Sequence, residues 1–190
     1  RYNRISRFRL MRRKKRSAKN PPISVIVVVR GENEDFLNKQ LHNILAQKYD
    51  LFEVVVVYVG GDIDYYGELQ RVKEQHSNMR LTKVGANERL YITTKQALNI
   101  GIKSASYDHI IMTTPETCPT TRNWVEYMSR GFMYGDIVLG YCNWERKRGI
   151  LNLFYRKYRL SEVRTYLASA IRGYQYGASH NSMGFTKELY

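Results

Sequence analysis

Two unbroken β-branched runs, ISVIVVVR (Ile23 to Arg30) and EVVVVY (Glu53 to Tyr58), dominate the hydrophobic pattern of this chain. A strand wetted on one face alternates apolar and polar residues, so runs without alternation predict strands buried on both faces, as in a parallel sheet. Between them Gly31 to Asn33 reads as a turn. Glu34 to Gln47 then places Phe36, Leu37, Leu41, Ile44 and Leu45 on one side of a helix. After the second run Gly60-Gly61-Asp62 permits close backbone approach, Tyr65 to Gln75 predicts a helix, and Met79 to Val84 a third strand. Ile92 to Ser104 has helical spacing, with Ala97, Leu98, Gly101 and Ala105 as a small, apolar packing side. His109 to Met112 predicts a fourth strand, Thr121 to Phe132 a helix capped by Thr120 or Thr121, and Asp136 to Tyr141 a fifth strand. Leu151 to Ile171 closes the pattern as a long helix. Strands alternating with helices predict an α/β domain on a mostly parallel central sheet flanked by helices.

The charge distribution divides the chain. Net charge is +14, but Arg1 to Lys19 holds ten Lys or Arg and no acid, leaving 21 basic against 17 acidic residues elsewhere. Pro21 and Pro22 end this stretch, so residues 1–20 read as a basic tail and 21–190 as one domain. Phe8, Leu10 and Met11 interleave with the tail cations, which suits either nucleic acid or an anionic membrane surface beside a hydrophobic anchor. The start at Arg1 without Met suggests a segment upstream. No apolar run approaches the roughly 20 residues that span a bilayer. The 43% hydrophobic content excludes disorder for most of the chain. Cys118 and Cys142 form no disulfide framework and fit a reducing compartment, and the four scattered histidines make no zinc motif. The long helix mixes Leu153, Phe154, Tyr155, Tyr158 and Tyr166 with Arg156, Lys157, Arg159 and Arg164. It either lies in a membrane interface or packs on the sheet with a solvated basic face.

One acid stands out by position. In HIIMTTPETCP (His109 to Pro119) the fourth strand runs into a Pro-bounded loop with a single carboxylate, Glu116. Ligands of open α/β sheets bind at the carboxyl ends of strands, so Glu116 is either a site residue there or a solvated turn glutamate.

The order of these pieces resembles the family 2 glycosyltransferases. LHNILAQKY (Leu41 to Tyr49) and ALNIGIKSASYDHII (Ala97 to Ile111) carry most of the resemblance, which covers Pro22 to about Thr120 well and Asp136 to Tyr190 more loosely. It implies a GT-A (Rossmann-like) fold, a nucleotide-diphospho-sugar donor, a saccharide or lipid-linked acceptor, and a divalent Mg or Mn ion. It also implies membrane association at the cytoplasmic face of a bacterial inner membrane, with the basic tail next to the bilayer and the anchor outside this chain. With that context, nucleic acid becomes the less favoured partner for the tail. The chemistry needs charge neutralisation at the diphosphate leaving group and a base to deprotonate the acceptor hydroxyl.

Carried over residue by residue, the motifs are degenerate. Where the family usually ends its second strand in two aspartates and Gly-Ser, this chain has Tyr58, Val59, Gly60 and Gly61. Tyr58 is then either a stacking surface for the base or a packing residue, and Asp62 and Asp64 either substitute for the acids or are loop acids, the reading turn propensity favours. The metal-binding Asp-x-Asp falls on Thr114-Pro115-Glu116, leaving one carboxylate for the ion. Arg30 and Glu32 match a nucleotide-contacting segment, and Lys95 and Asn99 lie on the helix that borders the diphosphate; Leu98 stands where many members have arginine. GASHNSMGFTKELY resembles the acceptor-side segment through Gly177, Asn181 and Lys187, with His180 the titratable group nearby. The usual Glu-Asp pair with the catalytic base would follow Tyr190. Two readings remain open, an active sugar transferase and a pseudo-glycosyltransferase that binds or scaffolds.

Overall fold

The computed structural model describes residues 20–85, 92–174 and 176–190. The basic stretch 1–19 lies outside them. Six strands form one sheet in the order β3-β2-β1-β4-β6-β5. They are β1 (Ile23–Arg30), β2 (Phe52–Val59), β3 (Met79–Val84), β4 (His109–Thr113), β5 (Ile137–Leu139) and β6 (Met183–Thr186). β1 pairs in parallel with β2 and β4, and β2 with β3, whereas β6 runs antiparallel between β4 and β5. Only β6 is reversed.

The two β-branched runs are the centre of this sheet, as their lack of alternation requires. Val25, Val27, Val54, Val55, Val56 and Val57 are all fully buried. Helix α1 (residues 34–45) begins at Asn33, whose Oδ1 accepts from Phe36 N, and passes through a π-helical turn at Phe36–Gln40 into Leu41–Leu45. Its Phe36, Leu41 and Ile44 pack on one sheet face with Leu69 of α2 (Ile63–Gln75) and with Val125 and Phe132 of α4 (Trp124–Phe132). Helix α3 (Thr94–Ser104) covers the other face through Ala97 and Ile102. Gly101 is what brings it close: a Cβ there would lie 2.7 Å from Ile26 Cγ2 and 3.0 Å from Val57 Cγ2. A capping box between Thr93 and Gln96 starts α3.

Three expectations are corrected. α4 starts at Trp124 rather than Thr121, and the first-turn amide of Val125 is capped by Gln47 Oε1 at 3.2 Å, while the Thr121 hydroxyl accepts from Asn123 N, ahead of the helix. The fifth strand is three residues, Ile137–Leu139, at the sheet edge. β6 was not expected, and its pairing with β4 moves the C-terminal stretch into the sheet. The long helix, α5 (Ile150–Ile171), agrees with its expected span.

At the amino end of the sheet a buried carboxylate ties four segments together. Glu53 accepts from Ser24 Oγ at 2.7 Å, from Ser106 N at 2.5 Å and from Ser106 Oγ at 3.0 Å. Arg80 Nη1 of β3 stands 3.6 Å from it. Ser24 and Glu53, the buried members of the group, are thereby spared the penalty of burying unpaired polar atoms.

Candidate functional site

Because α3 runs back against the parallel strands, its amino terminus rises where β1 ends. Arg30, the last residue of β1, donates through Nε to Thr94 Oγ1 at 3.2 Å and through Nη2 to Ile92 O at 2.5 Å. One of the expected cations is thereby brought to the start of α3, beside Lys95. Lys95 is exposed there, and Asn99 is half-buried one turn on. Glu32, in the turn after β1, is exposed.

Tyr58 sits differently. Its ring is fully buried, with centroids 5.5 Å from Tyr65 and 6.0 Å from Tyr66, and both its surfaces are taken up by the core. Packing is therefore the role its surroundings support, and Gly60 is required because a Cβ at that position would collide with the Tyr58 ring. Burial pushes the neighbouring Tyr65 hydroxyl up to about 12, and that hydroxyl donates to Asn33 O at 3.0 Å. Asp62 caps α2 by accepting from Tyr65 N, the loop-acid role that turn propensity favoured. The end of β2 is a closed aromatic cap where an acid pair was sought.

The end of β4 opens instead. Thr113 Oγ1 donates to Asn181 O at 3.0 Å, Pro115 is buried, and Glu116 emerges exposed at the rim of a cleft of about 730 Å³. Its near walls are Thr117, His180 and Asn181; the far walls are Asn143, Trp144 and the α5 side chains Asn152, Tyr155, Tyr158 and Arg159. Arg159 spans the cleft floor, donating to Glu162 Oε2 and to Ser179 Oγ at 2.6 Å each, so α5 is pinned to the 177–182 segment. Tyr166 anchors the same helix below by donating to Gly140 O at 3.2 Å.

A divalent ion finds little to hold it here. Thr114 and Thr117 pair their hydroxyls at 2.9 Å, and among the described residues no three His, Cys, Asp or Glu side chains converge. Mg²⁺ and Mn²⁺ favour several ionised oxygens, and this loop supplies one. The donor set of the described residues alone does not fit the ion.

The aromatic and amide wall was not singled out from the sequence. Its signal is nevertheless present: residues 152, 155, 159 and 162 recur at intervals of three and four, one helical face, and all four line the cleft. Of the acceptor-side residues, Asn181 and His180 reach the cleft, whereas Lys187 lies at the opposite end of the sheet, donating to Ala105 O at 2.7 Å. The reversed direction of β6 carries it there.

No family model matches the chain, and no curated protein does. Solved structures do. The mannosyltransferase PcManGT from Pyrobaculum calidifontis, in complex with GDP-Man and Mn²⁺, superposes with a TM-score of 0.65 over 99% of this chain and 51% of its own, at 19% identity. S. aureus TarS 1–349 matches with a TM-score of 0.53 over 68% of this chain and 38% of its own, at 17% identity. The 4-diphosphocytidyl-2C-methyl-D-erythritol synthase of Anaerococcus prevotii matches with a TM-score of 0.56 over 90% of this chain and 72% of its own, at 13% identity. The chain thus spans about half the length of the mannosyltransferase. With its parallel core, its single reversed strand and these neighbours, the chain has the GT-A glycosyltransferase fold.

Proposed function

We propose that this chain is the donor-binding part of a nucleotide-sugar glycosyltransferase acting on a saccharide or lipid-linked acceptor. The observation that carries the reading is Glu116, the one acid at the open carboxyl end of β4, at the rim of the 730 Å³ cleft. In this reading the nucleotide lies over the ends of β1 and β2, with Arg30 and Lys95 at the start of α3 facing its diphosphate and Glu32 and Asn99 beside it. The acceptor enters along Tyr155 and Tyr158, whose ring faces suit a sugar ring. Glu116, Glu145 and His180 are ionisable groups lining the cleft, and of these Glu116 and His180 stand by the end of β4, where they can take the acceptor proton. Because the loop brings one carboxylate, no step is assigned to a metal. The basic tail remains a candidate membrane contact for such an enzyme.

A second reading has its own support. The closed tyrosine cap at the end of β2 and the lone Glu116 suit a pseudo-glycosyltransferase that binds a nucleotide sugar or its product without efficient transfer. Calorimetry with UDP- and GDP-sugars, with and without Mn²⁺, followed by a release assay for the nucleoside diphosphate, separates the two. Binding with turnover supports transfer, and binding without turnover supports the second reading. Absence of heat for every nucleotide sugar overturns both.

A further inference from the structure

The first three turns of α5 present one face to the cleft and the other to solvent. Among the described residues the helix buries only Val163 and Tyr166, both in its second half. At about 100° per residue, Ile150, Phe154 and Lys157 point away from that buried side, with Leu151 and Tyr158 flanking them on one edge and Leu153 on the other. Ile150 is 88% exposed, Leu151 67% and Phe154 63%, and Trp144 just before the helix is 64% exposed. Isolated exposed apolar residues need no explanation, but a continuous helical stripe of them with an adjacent tryptophan does.

The charges around the stripe indicate what covers it. Between Glu145 and Glu162 the chain carries Arg146, Lys147, Arg148, Arg156, Lys157 and Arg159 and no acid. Arg146, Lys147, Arg148 and Arg156 converge with Asn152 and Leu153 on a pocket of about 430 Å³ on the flank of the stripe. Within it, Arg156 Nε is shielded from solvent and has no acceptor. A pocket of four cations with an unpaired Arg156 Nε, next to a row of apolar and aromatic side chains, matches the boundary between phosphate headgroups and acyl chains. A second copy of the chain would set like charges against each other across this face.

We propose that the loop 144–149 and the first three turns of α5 form a surface that docks on an anionic phospholipid bilayer. Ile150, Phe154 and Trp144 enter the acyl boundary, and a headgroup phosphate takes the pocket of Arg146, Lys147, Arg148 and Arg156. This surface stands independently of sugar transfer. It lies on the same helix as Tyr155 and Tyr158, so docking sets the cleft mouth at the membrane.

Vesicle flotation of the intact chain tests it, with phosphatidylcholine vesicles against vesicles containing about one third phosphatidylglycerol. Ile150→Asp with Phe154→Asp replaces side chains already in solvent and leaves the fold and the basic tail intact. Expected are a loss of about tenfold or more in partitioning to the anionic vesicles by the double variant and, in a Trp124→Phe background where Trp144 reports alone, a blue shift of emission on vesicle addition that the double variant lacks. Arg146, Lys147 and Arg148 changed together to Gln lose most binding at ~0.1 M salt while keeping the wild-type far-ultraviolet circular dichroism. Wild-type partitioning by the double Asp variant, unchanged Trp emission, or a concentration-dependent dimer that Phe154→Asp dissolves overturns the proposal.

Discussion

One sheet holds two carboxylates in opposite circumstances. Glu53, near the start of β2, is buried and accepts from two serines on two segments, with Arg80 closing the group. Glu116, just past the end of β4, is exposed at the cleft and makes no hydrogen bond among the described residues. A carboxylate whose lone pairs are all engaged by protein is a structural tie; one left open at a cleft is available to a ligand. Exposure and unused hydrogen-bonding capacity, more than residue type, separate the end of the sheet that builds the domain from the end that can do chemistry.

Breaking the amino end has the largest expected effect. Glu53→Ala strips acceptors from Ser24 Oγ, Ser106 N and Arg80 at once, and leaving the buried Ser24 hydroxyl unpaired beside the lost side chain costs about 2 kcal/mol. Urea unfolding reads this as a fall in midpoint with unchanged slope. Glu53→Gln keeps the shape and part of the hydrogen bonding, and loses less. If Glu53→Ala unfolds at the wild-type midpoint, the tie at this end is not structural.

Which parts of this contrast the sequence discloses follows from the range of the interactions. The β1 and β2 runs, the small side of α3 and the Pro-bounded loop of Glu116 announce themselves locally, through periodicity, glycine and proline. The start of α4 does not, because its capping group is Gln47, whose Nε2 also donates to Asn43 O and Thr121 O at 3.0 Å each. No local pattern reveals a cap 78 residues away. β6 escaped because four residues, MGFT, carry no period, and Gly184 is there to admit the Phe132 ring rather than to make a turn. Tyr58 and Lys187 could be aligned with site positions by motif, but burial of the first and the reversed strand before the second put them elsewhere. The cleft wall was readable as a helix face and unreadable as a cleft, since nothing local says which face meets an opening.

A smaller effect at the amino end comes from His109, the first residue of β4, whose ring packs edge-on against Phe132 at 4.8 Å. Burial holds its pKa below the ordinary 6.5, outweighing the opposing pull of Asp108 and Asp136. In the unfolded chain the imidazole takes up a proton near pH 6.5, while in the folded chain it does so only at lower pH, so in that window the unfolded state binds more protons. Stability contributed by the neutral ring is therefore intact above about pH 6.5 and is lost as pH falls toward the folded value. Urea midpoints at about pH 7.5 and about pH 5.5 should converge for His109→Phe more than for the wild type. An equal acid loss in both would show that His109 does not sense the core.

At the carboxyl end the expected stability change is the smallest and the functional one the most telling. Glu116→Gln removes a charge that the protein does not use for its own cohesion, so unfolding should shift by no more than about 0.5 kcal/mol in either direction. The same change should weaken nucleotide-sugar binding, measured by calorimetry, by roughly tenfold, because a charged acceptor for the sugar hydroxyls is lost while Arg30 and Lys95 remain. The two readouts must part for the contrast to hold: stability kept with binding lost makes Glu116 a site residue, whereas both kept makes it a solvated turn glutamate and moves the search for the working acid to His180 and the cleft wall. Stability lost along with binding would show that the open end of the sheet is built like the closed one, and the difference between the two carboxylates would then be one of exposure alone.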